Sequence, residues 1–132
     1  MREDISKLLK LTFLVHFFVA ILFGLVYLIF LEFYVEVTGW LVVGYDPIAG
    51  RTLGATFIGF GVGSLLCWRE TEWVRVKIVV QMEIAWLIIG TIVQFWAAFS
   101  LFTPIIIWLN IVVCLFFAIA FSWFYYIQEM GK

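Results

Sequence analysis

Four long apolar runs separated by short polar connectors organise this chain, at residues 11–31, 48–67, 74–98 and 104–126. At 1.5 Å per helical residue, each meets the roughly 20 residues that a hydrocarbon core of about 30 Å demands. The first is too long for the apolar centre of a secretory signal and is followed by no small-x-small cleavage pattern, so it is expected to persist in the mature protein. Asp46-Pro47 opens the second run, with Asp placed to cap free backbone N–H groups and Pro suited to the first helical position. Thr71 is expected to cap the third, which starts near Glu72, and Pro104 opens the fourth.

Composition turns these runs into membrane spans. Of 132 residues, 66% are hydrophobic and 13% charged, and the mean hydropathy is +1.16, more apolar surface than a water-soluble core of this size can bury. The expectation is one integral membrane domain over 1–132, an all-α polytopic four-transmembrane-helix bundle. Basic residues then orient it. Arg2, Lys7 and Lys10 precede the first run, Arg69, Arg75 and Lys77 flank the junction of the second and third, and Lys132 ends the chain. The other two connectors carry no Lys or Arg, which predicts both termini in the cytoplasm. The expected location is a prokaryotic cytoplasmic membrane. A net charge of −1, with no basic face, argues against nucleic acid.

The first external connector carries Glu32, Glu36 and Asp46 with Tyr34 and Trp40, and reads as a short acidic, aromatic interfacial segment. Trp68, Trp73, Trp123 and Tyr125 form the matching belt at the opposite interface. The second run is rich in small residues, with GxxxG pairs at Gly50/Gly54 and Gly59/Gly63. At 100° per residue Gly50, Gly54, Gly61 and Ser64 share one face, while Gly59, Gly63, Ala55 and Thr52 lie toward the other, so this helix is expected to touch neighbours on both sides. Two readings follow: a dimer seam or moving gate, and tight packing inside one bundle.

Ionisable groups at membrane depth are costly unless paired or hydrated. His16 and Glu83 fall at one level of the cytoplasmic half, with Ser64 and Gln81 slightly deeper. On the outer side Arg51, Gln94, Asn110 and Tyr27 share a level, and Glu32 lies within reach of Arg51 by snorkelling. Helical spacing turns these groups inward. One stripe of the first run holds Thr12, His16, Ala20, Phe23 and Tyr27; one of the third holds Glu83, Leu87, Gly90, Gln94 and Ala97. Thr103, Asn110, Cys114, Phe117 and Phe121 align on the fourth. Stripes so weakly polar fit a small buried cavity rather than an open pore. These groups either tie helices together or form a ligand or proton site at His16, Glu83 and Ser64.

Other chemistries find little support. Cys67 and Cys114 stand singly on separate runs, so a CxxC redox pair is absent. No metal-spaced ligand set and no cofactor is predicted, although a lone membrane histidine such as His16, with Ala20 one turn on, can ligate haem or a chlorophyll-type pigment. Four-span proton-coupled exporters carry a carboxylate in the middle of the first span; here that span has none before Glu32. A membrane enzyme acting on a lipid is the third reading: His16 and Glu83 supply acid–base groups, but no nucleophile or oxyanion set accompanies them, so a non-enzymatic role is expected ahead of it.

Asp46-Pro47, the run Arg51-Thr52-Leu53-Gly54-Ala55, the glycines to Gly63 and the Arg69 to Arg75 turn resemble the DoxX-like group of small prokaryotic four-helix membrane proteins. The resemblance spans the middle two runs and implies a fold, with no reaction. The first functional expectation is a non-enzymatic accessory or assembly subunit, or a homo-oligomeric bundle, partnered by the bilayer and by membrane subunits or copies of itself. The alternative is a small transporter or lipophilic-ligand binder with a titratable inner-leaflet site at His16 and Glu83.

Overall fold

The computed structural model describes residues 4–40, 45–101 and 103–130; Arg2 and Lys132 of the charge count lie outside them. Within these residues the chain is all-α, with five helices: α1 Lys7–Ile29, α2 Leu31–Thr38, α3 Pro47–Arg69, α4 Trp73–Ser100 and α5 Ile106–Met130. Three of them, α1, α4 and α5, are long and apolar enough to cross a membrane. α3 has 23 residues, the same length as α1, but its glycines, threonines and Arg51 dilute its hydropathy.

Local chemistry explains most helix ends. Ser6 Oγ accepts from the Leu9 backbone N–H and starts α1 four residues before the apolar run begins. Asp46 Oδ1 accepts from the N–H groups of Ile48 and Ala49, with Pro47 at the first position of α3. The expected Thr71 cap is corrected: Glu72 occupies the cap of α4 without a side-chain bond, and the Thr71 carbonyl instead accepts from Ile5 N–H at 2.9 Å. α5 begins at Ile106 rather than Pro104, because residues 104–108 first form tighter turns, with the Pro104 and Ile105 carbonyls accepting from Ile107 and Trp108. The acidic connector is itself helical. At Phe30 the backbone leaves α geometry (φ −110°, ψ 26°), so α2 breaks from α1 and lays Leu31 and Val35 inward, and Gly39 closes it at φ 84°.

The bundle is two pairs. α1 packs along α3, α4 packs along α5, and contacts between the pairs are sparse. The α1–α3 crossing is set by glycine on both helices. A Cβ on Gly54 would stand 2.8 Å from Leu28 N and 2.9 Å from the Gly24 carbonyl oxygen, and one on Gly61 would stand 2.9 Å from the Ile21 side chain. Only bare backbone permits that approach. Gly50 gives its space to Leu31 of α2. Gly59 and Gly63 differ: an added Cβ would meet nothing within 4 Å. Among the described residues α3 touches α1, α2 and α4, but at Gly59 and Gly63 its second small-residue face is not one of the contacts.

The two pairs meet at the end that carries Ser6 and the Arg69–Trp73 turn, here the terminal end. Leu9, Phe13, Trp73, Val76, Val80 and Phe121 are fully buried there. Polar contacts seal it: Glu129 accepts from Trp73 Nε1 (2.7 Å) and Lys77 Nζ (2.8 Å), Tyr125 Oη accepts from Gln81 Nε2 (2.9 Å), and the Asp4 carbonyl accepts from Gln128 Nε2 (3.0 Å). Toward α2 the pairs separate.

Candidate functional site

A cavity of about 640 Å³ occupies the space between the pairs, from His16 and Phe117 at its floor to Trp40, Tyr45 and Asp46 beside α2. On the α3–α4 side, Trp86 of α4 packs against Phe57 and Phe60 of α3 at centroid distances of 5.6 and 5.0 Å. Ile89 and Val93, which line the cavity from α4, are also exposed, so it opens sideways between α3 and α4.

The floor is built where α1 and α3 are closest. Ala20 Cβ lies 3.5 Å from the Cβ position of Gly61, and one turn nearer the terminal end the same approach sets His16 Nδ1 2.7 Å from Ser64 Oγ. Ser64 Oγ–H donates to a neutral imidazole protonated at Nε2; an imidazole protonated at Nδ1 donates to Ser64. The ring stands edge-on to Phe117 and Phe121, with centroids at 4.7 and 5.5 Å. Glu83 of α4 is fully buried, with Oε1 3.7 Å from His16 Nδ1, and neither carboxyl oxygen has a hydrogen-bond partner among the described residues. Such a carboxyl is tolerable in apolar surroundings only when neutral or facing a cation. His16 and Leu87, which flank Glu83, both reach the cavity wall.

The structure thus brings His16, Ser64 and Glu83 into one cluster. Gln81 stands apart, exposed and bonded to Tyr125. The outer polar layer divides. Arg51 and Glu32 pair at 2.6 Å on the surface, where hydrogen bonds from the backbone at Glu32 and from Arg51 hold the Glu32 carboxyl below the usual range. Gln94 and Asn110 instead line the cavity. Gln94 Nε2 lies 3.3 Å from Cys114 Sγ, while Gln94 Oε1 and Asn110 Oδ1 are buried without partners. Tyr27 also lines it, with its hydroxyl at a long 3.4 Å from that of Tyr34. Thr12 drops out of the inward stripe and bonds the Leu8 carbonyl, because the buried face of α1 runs through Leu9, Phe13, His16, Ala20 and Gly24.

Tyr34, Trp40 and Tyr45 also line the cavity, and none was singled out as a site residue from sequence. Their signal was present as an aromatic, acidic connector, but interfacial aromatics are common enough to hide it. The His16 ring is 7% exposed and packed by two phenylalanines, which leaves little open space at its nitrogens for a macrocycle. Among the described residues no group of three His, Cys, Asp or Glu side chains is placed to hold a metal ion. No protein-family model, curated protein or solved structure matches this chain.

Proposed function

We propose that this protein is an integral membrane binder of a small lipophilic molecule, held in the cavity between the α1–α3 and α4–α5 pairs. The observation that carries the reading is the cavity itself: about 640 Å³, mostly apolar and aromatic, with few polar groups, and open sideways where a bilayer would lie. That is the make-up of a ligand pocket, in which apolar walls supply affinity and a few polar atoms supply orientation. In this reading α3 also spans, with Gly54 and Gly61 covered by α1, giving four spans with both termini in the cytoplasm of a prokaryotic cell, as the Lys and Arg distribution supports. The DoxX-like relationship belongs to the same reading and rests on the sequence resemblance over the middle two runs.

Gly90 provides the test, because it lines the cavity and an added Cβ there meets nothing within 4 Å. Gly90→Phe should project a ring into the cavity from a position where its Cβ meets no neighbour among the described residues. The wild-type protein, incubated with a lipid extract of its source membrane in mild detergent, should show a small-molecule adduct by native mass spectrometry. Gly90→Phe should lose the adduct and melt at the same temperature or higher. Equal adducts on both proteins, or none on either, would overturn the reading.

A second reading, an accessory or self-associating bundle, is favoured by one observation: the Gly59/Gly63 face of α3 is open. Small residues on an exposed helix face allow a second helix to approach closely. This assembly role is compatible with ligand binding because it uses the opposite side of α3.

A further inference from the structure

We infer that the cavity selects lipophilic cations, with aromatic rings receiving the charge and the buried Glu83 carboxyl behind the floor acting as counter-charge. The inference rests on the cavity being a ligand site and names the ligand's class. Nine of the 28 lining residues are Phe, Tyr or Trp, and none is Lys or Arg. The nearby Arg51 is turned to the surface and tied to Glu32. An anionic lipophile would therefore find no Lys or Arg in the wall and only the His16 imidazole, which already faces Glu83 at 3.7 Å, whereas a cation meets the electron-rich faces of rings in a desolvated space. Among the described residues two orphaned acceptors, Gln94 Oε1 and Asn110 Oδ1, and one orphaned donor, Trp40 Nε1, belong to the wall, so acceptors outnumber donors there.

The floor supplies the second, independent observation. Glu83 is fully buried, both oxygens lack partners, and its ion-pair contact among the described residues is His16 at 3.7 Å. The other polar groups at this level, Ser64 and Cys67 of α3, are neutral, and α5 contributes Phe117 and Phe121. A carboxylate in this position needs a positive neighbour, and a cation against the cavity side of His16 and Leu87 supplies one. With the ligand absent, the imidazole or a proton on Glu83 serves instead.

The experiment compares three probes of similar bulk and different charge: tetraphenylphosphonium, tetraphenylborate and neutral triphenylphosphine oxide. Equilibrium dialysis is run against the protein in phosphatidylcholine nanodiscs, and the binding counted is that lost in Gly90→Phe, which removes partition into lipid. Phosphonium affinity should exceed that of each other probe by about tenfold or more. Glu83→Gln should weaken the phosphonium by about tenfold and leave the oxide unchanged. Gly90-dependent binding of the borate or oxide that equals or exceeds that of the phosphonium would overturn the cation inference and leave the lipophile reading standing. Gly90-independent behaviour of all three probes would overturn both. Phosphonium selectivity that survives Glu83→Gln unchanged would refute the counter-charge role of Glu83.

Discussion

Alanine at Gly54 and at Gly59 tests the architecture most directly, because the two glycines lie on the same helix and differ in what faces them. At Gly54 the new methyl would stand 2.8 Å from Leu28 N, 2.9 Å from Gly24 O and 3.0 Å from Tyr27 C, all backbone atoms that no rotamer change can move. α1 must withdraw by about half an ångström to restore ordinary contact. Overpacking of this kind costs about 1–3 kcal/mol, and rigid neighbours place Gly54→Ala toward 3. The gain in helix propensity returns about 0.5–1 kcal/mol, for a net loss near 2. Gly59→Ala keeps only the gain, since its Cβ meets open space. Unfolding free energies in mixed micelles titrated with dodecyl sulfate should therefore place the two variants about 3 kcal/mol apart, with Gly54→Ala the weaker. Values within about 1 kcal/mol of each other would refute the Gly24–Gly54 crossing, and with it the close approach that positions His16 against Ser64.

The open face makes a different prediction: if copies or partner subunits dock there, Gly59→Leu should lower the native mass to that of the monomer while leaving unfolding unchanged, and an unaltered oligomer would dismiss that docking. The Glu32–Arg51 pair carries a pH signature. Because the folded carboxyl titrates below its ordinary value of 4.5, the pair's contribution is complete above that value and disappears only as pH falls through the lower, folded one. Hydrogen exchange at the α2 amides should stay constant from pH 7 to 5 after correction for intrinsic rates. It should accelerate only in stronger acid, and by less in Arg51→Gln, which keeps the backbone hydrogen bond at Glu32 but loses the guanidinium; acceleration beginning near neutrality in the wild-type protein would contradict the assignment.

How far the sequence reaches can be read from particular residues. Helix existence was legible because apolar runs of 20 residues have few alternatives in lipid, and the Asp46-Pro47 start was legible because capping is local chemistry. The level shared by His16 and Glu83 follows from counting residues along rods, and the structure places them 3.7 Å apart. Lateral arrangement was harder. Both GxxxG pairs looked alike, yet Gly54 meets Gly24 and Gly59 meets nothing, a distinction that depends on which neighbour α3 chooses. Gly24 itself, a lone glycine in α1, gave no motif. The break at Phe30 was invisible because it needs no proline or glycine at that position, and through it Tyr34 and Trp40 of an apparent surface connector come to line a cavity.

The unequal ends of the bundle bear on whether the cavity carries its ligand or only holds it. Alternating access requires a second opening at the terminal end, on the far side of His16 and Glu83. That end is where Trp73, Phe13, Phe121 and Leu9 are wholly buried. It is also where α4 and α5 are joined through Glu129 and Tyr125, and where the chain before α1 is pinned by Ile5 to Thr71 and by Asp4 to Gln128. Opening it would break these contacts together, since they share the same few residues, and would unpack the part of the molecule that holds the two pairs to one another. Among the described residues the α2 end is walled by Trp40, Tyr45 and the exposed edge of α4, which side-chain rotation can move. The firm closure of the terminal end is therefore the structural ground on which the proposed binder is preferred to a carrier: a carrier would have to break these contacts in every cycle, whereas a binder would leave them intact.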